Sequence, residues 1–313
     1  MLKYIIRRLL VMIPVLFGVT VVISSLIYMT PGNPARIALG QDADPESVRA
    51  LEEQMGLNQP PHIRYLEWVQ SALQGDFGYS LQTGRSVTVL MLERLPATME
   101  LVLASMVIML VIALPLGVIS AVRQHEWVDN ASMLFAIAWI SMPSFWLGLM
   151  LIMLFSVRWG WFPISGRGGA IVSLTAASYL ILPAVANGAR RAGLLTRMTR
   201  SAMLEILNED YIRTARGKGI GEKSVIYTHA MKNAMIPVIT LIGLQVPLLF
   251  SASVIIEIVF AWPGMGRLLV DAVFQRDYPV VQGTVFMYAV IVMFANLFVD
   301  LLYGFFDPRI SYE

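Results

Sequence analysis

Long apolar runs separated by short polar connections organise this chain, and two polar stretches are too long to be mere connections. The runs lie at Leu9 to Met29, Ala97–Val122, Ala131–Val157, Met235–Phe260 and Gly283–Phe306. Each is long enough to cross a hydrocarbon core about 30 Å thick as a helix rising about 1.5 Å per residue. A sixth run, Ala176 to Ala189, is too short to cross before Arg190 and Arg191 interrupt it. It predicts a helix that continues past them, with the arginines snorkelling or facing protein.

The first polar stretch runs from Pro31 to about Arg94 and carries Asp42, Asp44, Glu46, Glu52, Glu53, Glu67 and Asp76. Within it, Asp44 to Gly56 predicts a helix with Pro45 in the first turn, acids early and Gly56 as the stop. Pro61 to Leu73 predicts a second, amphipathic helix with Ile63, Leu66, Val69 and Leu73 on one side. Gly75-Asp76-Phe77-Gly78 then ends the helical pattern. The second polar stretch, Ser201 to Asn233, reads as two short helices around a turn: one over Asp210–Gly219 closed by Gly217 and Gly219, another over Glu222 to Lys232. Tyr211, Ala215 and Gly219 recur at i, i+4 and i+8 as a face of decreasing side-chain size, while Arg213, Arg216 and Lys218 point elsewhere.

Composition agrees with the pattern. Of 313 residues 57% are hydrophobic and 14% charged, and the mean hydropathy is +0.67, outside the range of soluble domains and diagnostic of an integral membrane protein. The net charge of +2 supplies no overall field for nucleic-acid binding, so no nucleic-acid partner is expected. The chain has no cysteine, which excludes disulfides and thiolate sites. Six spans with the N-terminus in the cytoplasm place Lys3, Arg7, Arg8, Arg123, Arg197, Arg200, Arg213, Arg216, Lys218, Lys223, Lys232 and Arg309 inside, while the outside segments are acidic or mixed. The expected fold is therefore all-α and polytopic: a first transmembrane helix in 1–30, an extracytoplasmic helical insertion in 31–95, a transmembrane core in 96–306 holding the cytoplasmic loop 201–233 between its fourth and fifth helices, and a cytoplasmic tail in 307–313.

The polar loop also carries a resemblance. Arg213-Thr214-Ala215, three residues, Gly219, nine residues, then His229-Ala230-Met231-Lys232 is similar to the cytoplasmic loop of permease subunits of ATP-binding-cassette importers, in which Glu-Ala-Ala, three residues, Gly and nine residues precede an Ile-x-Leu-Pro-like ending. Ala215 and Gly219 match the general pattern. Arg213, Thr214 and His229 depart from it toward the branch that moves dipeptides, oligopeptides, glutathione or nickel. The resemblance extends to Pro31-Gly32-Asn33-Pro34, where that branch has Asp third, and to Gly75-Asp76-Phe77-Gly78, Trp262-Pro263-Gly264-Met265-Gly266-Arg267, Arg276-Asp277-Tyr278-Pro279-Val280 and Asp307-Pro308-Arg309-Ile310.

The resemblance implies a permease subunit in a bacterial cytoplasmic membrane with both termini inside. Asp210, Tyr211, Arg213, Thr214, Ala215, Arg216, Lys218 and Gly219 would then form a coupling helix seated in an ATPase subunit. It implies as partners a second, homologous permease in a heterodimer, two ATP-binding subunits, an extracytoplasmic substrate-binding protein and the bilayer. No cofactor is expected on this chain: it lacks a Gly-x-x-x-x-Gly-Lys-Ser/Thr loop, so ATP and Mg belong to the partner ATPases. His62, His125 and His229 are scattered and form no metal or nucleophile array, so an enzyme is not expected. The resemblance implies a peptide cargo, with nickel as the alternative; a self-contained secondary transporter would show internal inverted repeats, and none is seen.

Asn187, Gln245, Glu257 and Asp300 lie in apolar spans, where polar groups face protein or an aqueous path. Asn187, Gln245 and Glu257 are candidates for the pathway, with helix-packing hydrogen bonds as the competing reading. Pro115, Pro143 and Pro247 are either packing kinks or gate hinges. The segment Trp262 to Pro279 either contacts a soluble receptor or anchors at the interface through Leu268, Leu269, Val273 and Phe274. Trp159 and Trp161 suit an aromatic belt.

Overall fold

The apolar runs fold as helices, and the turn residues between them end those helices where the sequence says they should. The computed structural model describes residues 2–29, 33–40, 43–54, 56–169 and 174–306. Pro31-Gly32 and the tail 307–313, with its Asp307-Pro308-Arg309-Ile310 motif, lie outside these described residues. In order the helices are α1 (Leu2–Met29), α2 (Pro34–Leu39), α3 (Pro45–Gln54), α4 (Pro61–Leu73), α5 (Val87–Val122), α6 (Trp127–Ser141), α7 (Ser144–Leu151), α8 (Leu174–Leu207), α9 (Asp210–Gly217), α10 (Glu222–Ser224), α11 (Met231–Val259), α12 (Met265–Phe274) and α13 (Tyr278–Phe306). Widened π-helical segments extend α7 over Ile152–Arg158 and join α10 to α11 over Val225–Ala230.

Packing divides the chain into two units, Met1–Ala97 with Pro263–Phe294, and Thr98–Trp262 with Ala295–Ser311. In the first, Phe77, Val87, Leu90, Met91, Ala272 and Val280 form the core, and Trp68, Ala72, Leu268 and Phe286 pack against it. Two of the motifs noted above meet here. The buried Asp277 accepts from Ser80 Oγ at 2.5 Å and from the Leu81 amide at 3.2 Å, and Gln82 Nε2 donates to the Gln275 carbonyl at 3.1 Å. Helix α4 has the predicted bounds but not the predicted orientation: Ile63, Leu66 and Leu73 are exposed, while Tyr65, Trp68 and Ala72 face inward. The contact chose the aromatic stripe, which offers more area per residue than the aliphatic one beside it.

In the second unit α8 is the central helix, packed by α6, α7 and α11. Its inner residues are small: Ala184, Ala186, Ala189 and Ala192 are all fully buried. Backbones approach closely enough that a Cβ on Gly193 would lie 2.5 Å from the Ala136 carbonyl, and one on Gly117 of α5 would lie 2.5 Å from Thr199. Small-residue faces of this kind let membrane helices pack without a hydrophobic driving force. At one end of this unit, Arg167 pairs with Glu100 of α5, its Nε 2.9 Å from Oε2, and the Gly166 amide reaches the Phe260 carbonyl at 2.9 Å. At the other end, Arg200 of α8 makes a two-pronged pair with Asp129 of α6, both bonds 2.7 Å, and Asp129 also accepts from Ser120 of α5 and from the His125 amide.

Among the described residues four helical stretches are long and apolar enough to cross a membrane: Ile5–Ser25, Val87–Val122, Glu222–Val259 and Tyr278–Leu301. The expected span Ala131–Val157 is instead broken at Met142-Pro143 and bent by 108° between α6 and α7. Pro183, Pro237 and Pro247 are absorbed inside helices. Pro115 likewise lies inside the unbroken α5. Only Pro143 therefore ends an element, where Met142 adopts the extended backbone that a following proline favours.

Candidate functional site

The loop 201–233 is built outward from two buried side chains. Ile212 and Ala215 of α9 sit three residues apart and enter a core with Met109, Ala113, Val118 and Ala121 of α5, Leu195 and Met203 of α8, and Val225, Ile226 and Ala230. Asp210 supplies the acid that favours the start of a helix, and Gly219 ends the turn with φ +76°, a conformation that glycine adopts without strain. Two side-chain links then fasten α9 laterally. Asn233 Nδ2 of α11 donates to Tyr211 Oη at 2.7 Å and to the His229 carbonyl at 3.3 Å. Arg216 reaches Glu222 through Nη2 at 2.8 Å and Nε at 3.2 Å, and that carboxylate raises the guanidinium above its ordinary range.

This corrects the reading of the small-residue face. Ala215 is consumed by the chain's own core and cannot be offered to a partner, whereas Tyr211 and Gly219 are exposed. What α9 leaves on its surface besides Tyr211 is Asp210, Arg213, Thr214, Arg216 and Gly217, with Lys218 just past its end; Arg213 Nη1 lies 3.2 Å from Asp210 Oδ1 and Thr214 Oγ1 donates to the Asp210 carbonyl at 2.9 Å. The helix expected over Glu222 to Lys232 does not stop at Asn233. It runs through the π-helical segment into α11 as one continuous stretch, so Asn233 is an interior residue of the long helix.

The Asp129–Arg200 pair braces the same end of the unit and was not singled out as a site from sequence. Its partners are 71 residues apart, and only the charge of Arg200 drew notice. Ile212 was also missed, although its spacing of three from Ala215 is a helical signal.

The three pathway candidates lie inside the chain. Asn187 is fully buried and donates to Ser105 Oγ at 3.0 Å and to the Leu249 carbonyl at 3.4 Å; Glu257 is fully buried and accepts from Thr98 Oγ1 at 2.7 Å; Gln245 is buried on the same helix as Glu257. The open face of α11 is a different stripe, running through Ile236, Thr240, Leu244, Leu248, Ser251 and Ile255. Among the described residues no group of three or more His, Asp or Glu could hold a metal ion.

Residues 113–312 match the binding-protein-dependent transport system inner membrane component, and residues 1–102 match the N-terminal region of the same membrane component. The chain belongs to this family. It is a membrane-spanning permease subunit of an ABC importer and a non-catalytic component of it. Among its relatives, the dipeptide transport system permease protein DppB of Alkalihalophilus pseudofirmus is 42% identical and the glutathione transport system permease protein GsiC of Escherichia coli K12 is 41% identical, each pair covered over the full length of both chains. The fold of the permease is similar to the membrane subunit in an inward-facing structure of the MetNI methionine ABC transporter, with TM-score 0.58 and 17% identity over 70% of this chain and 96% of that one. An amino acid ABC transporter chain gives TM-score 0.54 and 12% identity over 69% and 94%.

Proposed function

We propose that this permease forms half of a pathway for peptides, a dipeptide, oligopeptide or glutathione, and that α9 is the element through which a separate ATPase subunit drives it. The cargo class rests on the full-length relatives, whose names are those of dipeptide and glutathione permeases. The observation that carries the coupling role is the fastening of α9: two residues locked in the core of α5 and α8, and Tyr211 bonded to Asn233 inside the helix that continues as α11. A partner that displaces α9 must displace α11 with it. The exposed Asp210, Arg213, Thr214 and Lys218 supply the contact, and ATP and Mg stay on the partner.

Six crossings follow if the bent α6–α7 pair and α8 each count as one. α8 is too polar to pass on hydropathy; what supports counting it is the company its two ends keep. Gly166 and Arg167, shortly before it, lie beside Phe260 and Glu100, and Arg200 lies beside Asp129 and Ser120. On α5, Glu100 and Ser120 are separated by about 30 Å at 1.5 Å per residue, the thickness of a hydrocarbon core. Six crossings put 201–233 and both termini in the cytoplasm and 31–95 outside, facing a substrate-binding protein. A second permease, homologous to this one, completes the pathway against the open stripe of α11. Asn187 and Glu257 fasten helices in this conformation, and Gln245 and Glu257 reach cargo only if α11 turns.

The test is charge reversal on the exposed face. Arg213→Glu with Lys218→Glu leaves the buried Ile212 and Ala215 untouched, so the permease should accumulate normally while co-purification of the ATPase subunit and receptor-stimulated ATP hydrolysis are both lost. Normal co-purification with normal uptake would overturn the assignment of α9. Peptide uptake itself is read with radiolabelled dipeptide, glutathione or nickel, and uptake of nickel alone would replace the peptide reading.

A further inference from the structure

Two successive arginines of α8, Arg190 and Arg191, stand deep between apolar helices with no acid to meet them. Their level is set by close approaches to α5. A Cβ on Gly188 would lie 2.7 Å from the Ser105 carbonyl and 3.7 Å from the Met109 nitrogen, and a Cβ on Gly117 would lie 2.9 Å from the Thr196 carbonyl. The two arginines therefore sit between the levels of Met109 and Gly117. The surrounding stretch of α5, Leu101 to Val122, carries no charged residue. An ionised side chain at such a level faces protein or an aqueous path rather than acyl chains.

From Arg190 onward α8 divides by side. Ala192, Gly193, Leu195, Thr196 and Thr199 are buried, whereas Arg190, Leu194, Arg197 and Ser201 are exposed and share one face at i, i+4, i+7 and i+11. Arg191 stands at the edge of that face, and its Nη2 donates to the Leu248 carbonyl of α11 while its Nε is buried without a partner. Leu248 belongs to the open stripe of α11, so the open faces of the two helices meet at Arg191 as one wall. The nearby acids are engaged elsewhere: Glu100 with Arg167, Asp129 with Arg200, and Glu257 with Thr98. Among the described residues no ion pair includes Arg190, Arg191 or Arg197.

We propose that Arg190 and Arg191 form an anion subsite of the pathway, which takes the carboxylate of a peptide in transit. The inference rests on the reading above, in which a second permease closes the pathway against the open stripe of α11. A guanidinium fork matches a carboxylate with two parallel bonds. Arg190 has its fork free, and Arg191, tethered to Leu248, adds a fixed charge beside it. Two like charges on successive residues repel, and a bound anion relieves that repulsion. Arg197 lies about 10 Å further along the same face, toward the loop 201–233, and offers the next station. The field of this wall also repels a bare divalent cation, so it favours the peptide cargo over nickel.

The chain has no cysteine, so a single thiol can be placed beside the arginines. The Leu194→Cys permease is reconstituted with its transporter partners in vesicles, without nucleotide or receptor. It is then treated with sulfonatoethyl or trimethylammonioethyl methanethiosulfonate, an anionic and a cationic reagent of similar size, and the adduct is read by mass on this subunit. Relative to a cysteine peptide in the same buffer, the anionic reagent should be favoured about tenfold, as a cationic cleft concentrates anions. Arg190→Gln should lower that preference severalfold and Arg190→Lys should keep it. Millimolar dialanine should slow the anionic reagent, and dialanine amide should not. A thiol closed to both reagents would overturn the proposal, since lipid or protein would then cover this face. A preference near one would do the same, with an acid of the second permease as the neutralising partner, and so would a preference that dialanine leaves unchanged. Should Leu194→Cys fail to accumulate, Ser201→Cys with Arg197→Gln reads the same face one station on. Uptake of radiolabelled dialanine by the same vesicles, with receptor and ATP added, tests the peptide reading separately: uptake without charge preference sinks the subsite alone.

Discussion

Helices α4 and α9 are both short, both amphipathic and both set in polar stretches between apolar spans, yet they dispose of their apolar residues in opposite ways. α9 drives Ile212 and Ala215 into a core shared by α5, α8 and the base of α11, and leaves a surface in which Tyr211 stands among charged and polar residues. α4 packs only its aromatic stripe and leaves Ile63, Leu66 and Leu73 outside. The pattern of apolar positions predicts that a helix has two faces. It does not say whether the apolar face meets protein or lipid, because in a membrane protein both are apolar solvents.

The largest effect that would sharpen this contrast is expected at Ile212→Asp. An unpaired carboxylate in the core beneath α9 costs several kcal/mol, so the permease should fail to accumulate in the membrane, as read by immunoblot of membrane fractions. Normal accumulation would show that α9 is not seated as described. Next is Asp129→Ala, which strands the Arg200 guanidinium. Breaking a buried pair by removing one partner costs about 3–5 kcal/mol, and the melting temperature in detergent should fall accordingly; an unchanged midpoint would reduce the brace to a surface pair.

Tyr211→Phe removes one hydrogen bond, to Asn233, and should cost about 0.5–1.5 kcal/mol or less given the exposure of Tyr211. Its signature is functional: more ATP hydrolysed per peptide transported, because α9 loses its lateral link to α11. An unchanged ratio would mean that the core contacts alone carry the motion. The smallest effect is expected at Leu66→Ala, within about 0.5 kcal/mol in detergent, as for surface positions without a special role. A drop matching that of a core truncation would break the contrast, since it would reveal a protein contact under the aliphatic stripe.

Much of this architecture was legible in the sequence because turn chemistry and apolar length are local signals. The bounds of α4 agree to the residue, and the start of α9 and its closure near Gly219 follow from Asp210 and the glycines. α8 resisted reading because Asn187, Arg190, Arg191, Arg197 and Arg200 lower its hydropathy, while Ala and Gly make up much of its inner face and leave few large apolar residues, such as Leu195 and Met203, to offset them. A central helix surrounded by protein has little need of large apolar side chains. The widened turn between α10 and α11 was hidden for another reason: Val225–Ala230 carries no glycine or proline to mark it. Of the site, the exposed charges were visible from sequence, but the inward direction of Ala215 depends on Ile212 sharing its face. The links Arg200–Asp129 and Tyr211–Asn233 join positions that no periodicity relates.

The π-helical segment also acts as a phase setter. Bonds there span one residue more than in an α-helix, so Val225–Ala230 delays the winding of everything that follows. Rewinding it as regular α-helix with every residue kept would turn the rest of α11 by about 100° relative to α9. Asn233 would then swing away from Tyr211, and the stripe Ile236, Thr240, Leu244 and Leu248 would rotate toward the interior while Gln245 and Glu257 moved outward. Which face this helix shows to its surroundings is therefore decided at its base, by six residues that touch none of them.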